Sequence, residues 1–219
     1  MLREIVFLVI GLVLLWTPRS WLRLGKPNKT RKQIAVTGGP RRDRLPGDHS
    51  LWIEEEFKRG RNWLDFGRAM AGSLAMASTV PVLLTEMVAA PGISTAAVAF
   101  ITQAVILLAA VVIQMLRVEE RFMLYPPIFF VLGLALAVVG WKAAVIGFIS
   151  IWAINLVLPN PGVFLAVYAA GITVLGVFFG SGIKPTLLMA ALAATAPMVA
   201  ILSRRRLVLF RKKTKIASR

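Results

Sequence analysis

The 219-residue chain contains no cysteine. Disulfides, cysteine-ligated zinc, iron–sulfur clusters and thiol nucleophiles are therefore excluded within it. Histidine occurs once, as His49, and a lone imidazole with no second one nearby makes a poor metal site. Acid is scarce as well: 10 Asp+Glu stand against 26 Lys+Arg, a net charge of +16. The polar residues of the apolar region make no spaced acid pair and no Ser–His–Asp set, and the chain has no Rossmann glycine pattern, P-loop or GxSxG elbow. From these absences no catalytic residue, metal or cofactor is expected.

Charge is missing most conspicuously from the middle of the chain. The 138 residues from Phe66 to Ser203 carry eight charged side chains: Arg68, Glu86, Arg117, Glu119, Glu120, Arg121, Lys142 and Lys184. Most of these fall where an apolar segment starts or stops. A water-soluble core cannot be that long and that poor in charge, so lipid is its solvent.

What is present agrees with that reading. The chain is 58% hydrophobic, its mean hydropathy is +0.74, and apolar runs of about 20 residues recur. The expected fold is all-α: a polytopic integral membrane helical bundle with six long spans and a short N-terminal signal-anchor or interfacial helix. The spans are read as Phe66–Ala89, Ser94–Leu116, Phe122–Trp141, Ala143–Leu158, Val163–Gly180 and Pro185–Leu202. The connections between them are brief, which makes successive helices antiparallel neighbours.

Around the bundle, residues 1–18 form the N-terminal anchor helix, whose apolar run Ile5–Trp16 is short for a span. Residues 19–49 read as a basic loop with turn signals at Thr37-Gly38-Gly39-Pro40 and Leu45-Pro46-Gly47-Asp48. Residues 50–65 read as an amphipathic helix on the membrane surface, with Trp52, Ile53, Phe57, Trp63 and Leu64 on its apolar side. Residues 66–203 are the transmembrane bundle and 204–219 a basic tail.

The basic residues set an orientation. With the loop inside, 23 of them lie on the cytoplasmic side and three outside, and the opposite placement reverses this. The positive-inside rule therefore puts residues 19–65 and the C-terminus in the cytoplasm, with a bacterial inner membrane as the expected location. Arg41, Arg42, Arg44, Arg204, Arg205, Arg206, Arg211, Lys212 and Lys213 are the expected contacts to anionic headgroups or to a partner. In a soluble protein such a charge would suggest nucleic acid. Here the basic residues flank apolar segments, so anionic lipid, other subunits or further copies of the chain are the expected partners.

Within the spans, Glu86 is the only carboxylate, one turn from the outer end of the first and beside Thr85. An intramembrane acid is expensive to keep charged, so Glu86, Thr85 and Gln103 form a candidate polar site in the first helical hairpin. The alternative for Glu86 is snorkelling to the interface, and for Gln103 it is interhelical hydrogen bonding. Gln114 and Asn155 are expected to act as such glue. Gly67, Ala71, Ala75 and Ser78, then Gly171, Gly176 and Gly180, then Ala190, Ala193, Ala194 and Pro197 offer small surfaces for close helix approach.

Asn62-Trp63-Leu64-Asp65-Phe66-Gly67-Arg68-Ala69 is similar to the Leu-Asp-x-x-Arg-small opening signature of integral-membrane acyltransferases. That family needs a histidine soon afterwards and many more spans, which this chain lacks. Asn160-Pro161-Gly162 is similar to a segment of the peptidoglycan-polymerising cell-shape proteins, which are far longer. No functional residue is carried over from either. The expected function is a non-catalytic integral membrane subunit that anchors or assembles a larger complex. The alternative is a small transporter or channel using Glu86 and Gln103. An enzyme acting on lipids is disfavoured because no catalytic pair is present.

Overall fold

The structure is a computed structural model that describes residues 1–19, 21, 57–87, 94–118, 122–158, 160–204 and 207. These residues build seven α-helices and one small antiparallel hairpin. Four of the helices are long and apolar enough to cross a membrane. The fold is thus an all-helical bundle of membrane type.

Helix α1 (Leu2–Trp16) ends at Thr17, whose extended backbone suits the proline that follows. Helix α2 (Gly60–Met87) is 28 residues long, or about 42 Å at the α-helical rise. It runs without interruption through the expected boundary between a surface helix and the first span at residues 65 and 66. The earlier part of that expected surface helix, residues 50–56, lies outside the described residues. Helix α1 lies antiparallel along α2. Gly11 faces Gly72, Ala75 and Met76, Leu15 packs on Gly72, and Arg19 reaches back to Asp65.

Helix α3 (Thr95–Met115) is capped by Ser94, whose side chain accepts from the Ala97 amide. Strands β1 (Leu116–Val118) and β2 (Phe122–Leu124) follow, paired with Leu116 opposite Leu124 and Val118 opposite Phe122. The segment Phe122–Trp141, expected as one long span, is not one long helix. Its first residues are strand, and helix α4 (Ile128–Val138) begins only after Pro126-Pro127 and has 11 residues. Two prolines in succession supply no amide hydrogens and push the residues before them away from helical geometry. Gly140, at φ +82, then turns the chain into α5 (Trp141–Ala153), of 13 residues. At about 17 and 20 Å, α4 and α5 are both shorter than a hydrocarbon core of about 30 Å. Of the six long spans expected, these two are therefore short apolar helices.

A 3₁₀ turn (Asn155–Val157) leads to α6 (Pro161–Phe178), which has Pro161 at its first position and Asn160 accepting from the Val163 amide at 2.9 Å. Helix α7 (Ile183–Leu202) returns after Gly180 and Gly182, both at positive φ. Helix α4 lies inside the bundle, packed against α2, α5 and α7. The first eight residues of α4, Ile128 to Ala135, are all buried. Gly133 is what lets α4 come so near α2, since a Cβ there would press on Phe66 O, Ala69 Cβ and Met70 N. Gly176 does the same for α6 against Thr186 of α7. Leu207 pairs with Leu124, bringing the chain leaving α7 to the edge of the hairpin.

Candidate functional site

The polar groups of the bundle converge at one end, where α1 finishes, α2 begins and α3 finishes. Asp65 and Arg68 are one helical turn apart on α2 and both are buried. Arg68 Nε donates to Asp65 Oδ1 at 3.0 Å, and its Nη2 lies 2.8 Å from the same oxygen. Arg68 Nη1 donates to Thr17 O and its Nη2 also donates to Gln114 Oε1. Gln114 Nε2 donates in turn to Leu15 O at 3.0 Å and Thr17 O at 2.9 Å. These two carbonyls sit at the end of α1, where backbone acceptors have no partner within the helix.

Arg19 closes the network from outside. Its Nε meets Asp65 Oδ2 at 3.0 Å, and its Nη2 donates to Asn62 Oδ1 at 2.6 Å. Its guanidinium stacks 4.9 Å from the Tyr125 ring centre, and that of Arg68 lies 5.4 Å from the centre of the Phe130 ring. The network thus ties α1, α2, α3 and the start of α4 together through charge-assisted bonds. Both Asp65 oxygens and all three Arg68 nitrogens are occupied. Neither is a free base or acid, so the arrangement is suited to holding helices rather than to proton transfer.

Beside this network lies an aromatic cluster. Phe57 is its hub, with ring centroids 5.5 Å from Trp63, 5.6 Å from Phe129, 5.8 Å from Phe148 and 6.0 Å from Trp152. Trp63 Nε1 donates to Phe57 O at 2.9 Å. Deeper between α4, α5 and α6, Tyr168 borders a cavity of about 10 Å³ together with Leu132, Ile151 and Phe164. Its hydroxyl is buried and has no hydrogen-bond partner among the described residues, as is also true of Trp152 Nε1. About one water would fit there.

The residues singled out from the sequence are placed otherwise. Thr85 and Glu86 are exposed at the far end of α2, and Thr85 donates to Pro81 O of its own helix at 2.8 Å. Gln103 is half-buried eight residues into α3, about 12 Å along that helix from its start. Among the described residues no hydrogen bond joins Gln103 to Glu86 or Thr85. Arg204 is exposed just beyond α7, at φ +51. Arg41, Arg42, Arg44, Arg205, Arg206, Arg211, Lys212 and Lys213 lie outside the described residues. Also among the described residues, no three His, Asp or Glu side chains come together as a metal site would require.

Gln114 takes the interhelical bonding expected of it. The roles of Arg19, Asn62 and Asp65 were not foreseen. One sequence signal could have raised them: an Asp and an Arg at i and i+3 in the mouth of a span, with an Arg just after the preceding apolar segment. Comparison of the chain with family models, with curated proteins and with solved structures finds no match.

Proposed function

We propose that the protein is a non-catalytic integral membrane subunit that anchors or assembles a larger membrane complex. The observation that carries this is how the polar groups are used. In the Arg19–Asp65–Arg68–Gln114 network the buried donors and acceptors bond one helix to another. The outward faces are apolar, with Ile101, Val105 and Leu108 exposed along α3 and Val145, Ile146 and Ile149 along α5. Such faces suit lipid or neighbouring transmembrane helices. We place the network at the cytoplasmic side of a bacterial-type inner membrane, because residues 19–65 and the C-terminal tail carry most of the basic side chains.

In this reading α1 crosses the membrane beside α2, to which it is antiparallel. Helices α4 and α5 complete their crossings with the non-helical residues that flank them, giving six crossings after residue 60 and an external N-terminus. Purification from native membranes in mild detergent tests the proposal. Stoichiometric protein partners, identified by mass spectrometry, are expected. A chain that comes out alone and monodisperse, and that by itself drives solute flux in liposomes, would overturn it in favour of a transporter or channel.

A further inference from the structure

The outer ends of α5 and α6 are held at one level. Ser181, in the turn between α6 and α7, donates its hydroxyl to Val139 O at 2.6 Å, beside the turn at Gly140 that starts α5. The inner ends are joined directly, through the 3₁₀ turn Asn155–Val157 and the capping Asn160. The two helices therefore present a face of one height, and its rims are marked. Trp141, Lys142 and Phe178 are exposed at the outer rim and Asn160 at the inner one. Exposed tryptophan and lysine belong at headgroup depth. Between the rims lie the exposed apolar side chains Ile146 and Ile149 of α5 and Val174 of α6.

That height is small. The 13 residues of α5 rise about 20 Å and the three of the 3₁₀ turn about 6 Å, together about 26 Å. The 18 residues of α6 rise about 27 Å. A typical hydrocarbon core is about 30 Å thick. Tilt lowers the height that a helix covers and never raises it, so it cannot close this gap. Helix α3 differs. Its 21 residues rise about 32 Å, and a modest tilt brings them to the thickness of the core. It packs on α1, α2 and α7, whereas α5 packs on α4 and α6, so the tall and the short surfaces belong to different parts of the bundle.

We infer that the α5–α6 face takes phospholipids of shorter acyl chain than the α3 face does. The recognition is by length. Chains too long for the short face must tilt or compress there, or else bring hydrocarbon against Lys142 and Asn160. This rests on the transmembrane placement proposed above and on nothing about partners or solute flux.

Because the chain lacks cysteine, a bimane fluorophore can be placed on Ile149→Cys in α5 or on Val105→Cys in α3, both exposed positions. Each full-length variant is reconstituted in phosphatidylcholine bilayers. Quenching by brominated phosphatidylcholines with chains of about 14 to 22 carbons then gives the relative binding of each length at each position. At Ile149 the shortest chains are expected to bind about twofold or more better than the longest. At Val105 the optimum is expected at longer chains. A common optimum at both positions, or the longer-chain optimum at Ile149, would overturn the inference while leaving the membrane placement intact. Absence of quenching at both positions would overturn that placement and the inference with it. Ile146→Cys, exposed on the same helix, replaces Ile149→Cys should that variant fail to fold.

Discussion

Asp65 holds Arg68 on one carboxylate oxygen and Arg19 on the other, at 2.8 and 3.0 Å. Arg68 is in its own helix, and Arg19 arrives from beyond the end of α1. The carboxylate is therefore the joint between the N-terminal helix and the rest of the bundle. Removing one member of a buried ion pair leaves the other charge uncompensated, which costs more than the pair itself contributes.

Asp65→Asn is expected to lower stability by about 3–5 kcal/mol, since two guanidinium groups are then left facing a neutral amide. Asp65→Glu retains part of the pairing and loses less. Thermal melts in detergent, followed by the circular dichroism of the helices, check the order.

Gln114→Leu removes the acceptor for Arg68 Nη2 and the donor to the Leu15 and Thr17 carbonyls. The expected loss is about 1–3 kcal/mol, the cost of leaving such groups unpaired. It should fall on the docking of α1. Because the chain has no cysteine, a single cysteine placed at Leu15, which is buried, reads this directly. Its maleimide labelling is expected to rise when Gln114→Leu is added.

Among the glycines, sequence spacing singled out Gly67, yet a Cβ there meets nothing within 4 Å. A Cβ on Gly133 would meet Ala69 Cβ at 2.9 Å and Met70 N at 3.1 Å, atoms that cannot swing aside. Gly133→Ala is expected to destabilise by about 1–3 kcal/mol through overpacking. Gly67→Ala is expected to stay within about 0.5 kcal/mol of the parent. Paired melts of the two variants distinguish them.

The proposed orientation predicts opposite fates for two single-cysteine variants. Lys142→Cys, at the exposed start of α5, should react in intact cells with a membrane-impermeant maleimide. Arg204→Cys, beyond α7, should react only after the membrane is opened. The reverse pattern would invert the topology and with it the placement of the polar network.

Glu86→Gln is expected to leave melting temperature and expression unchanged, because Glu86 is exposed and no described side chain bonds to it. Abolition of a measurable liposome flux by this change would instead support the transporter reading.

Much of the fold was legible because lipid imposes length and apolarity together. Helices α3, α6 and α7 begin and end within three residues of the spans expected for them. The segment after β1 was misread because apolar composition is blind to backbone geometry: Phe122–Leu124 is as apolar as a helix but forms a strand, and Pro126-Pro127 delays the helix that follows. The first long helix was divided at 65 and 66 on amphipathicity, whereas Asn62, Asp65 and Arg68 of its polar face are buried in the network. The network itself was hidden because Arg19, Asp65 and Gln114 are far apart in the chain and ordinary individually. The packing of both α1 and α3 on α2 brings them together.

That packing also sets an order of events during synthesis. The carbonyls at the end of α1 and the charges at the start of α2 cannot be fully paired until Gln114 exists. The first helices must therefore wait, incompletely bonded, while α3 is made and inserted. Helices α1, α2 and α3 are thus expected to pack together only once all three are made. An insertion machinery that released α1 and α2 into lipid one at a time would leave Arg68 short of a partner, so these helices are best retained together until the third arrives.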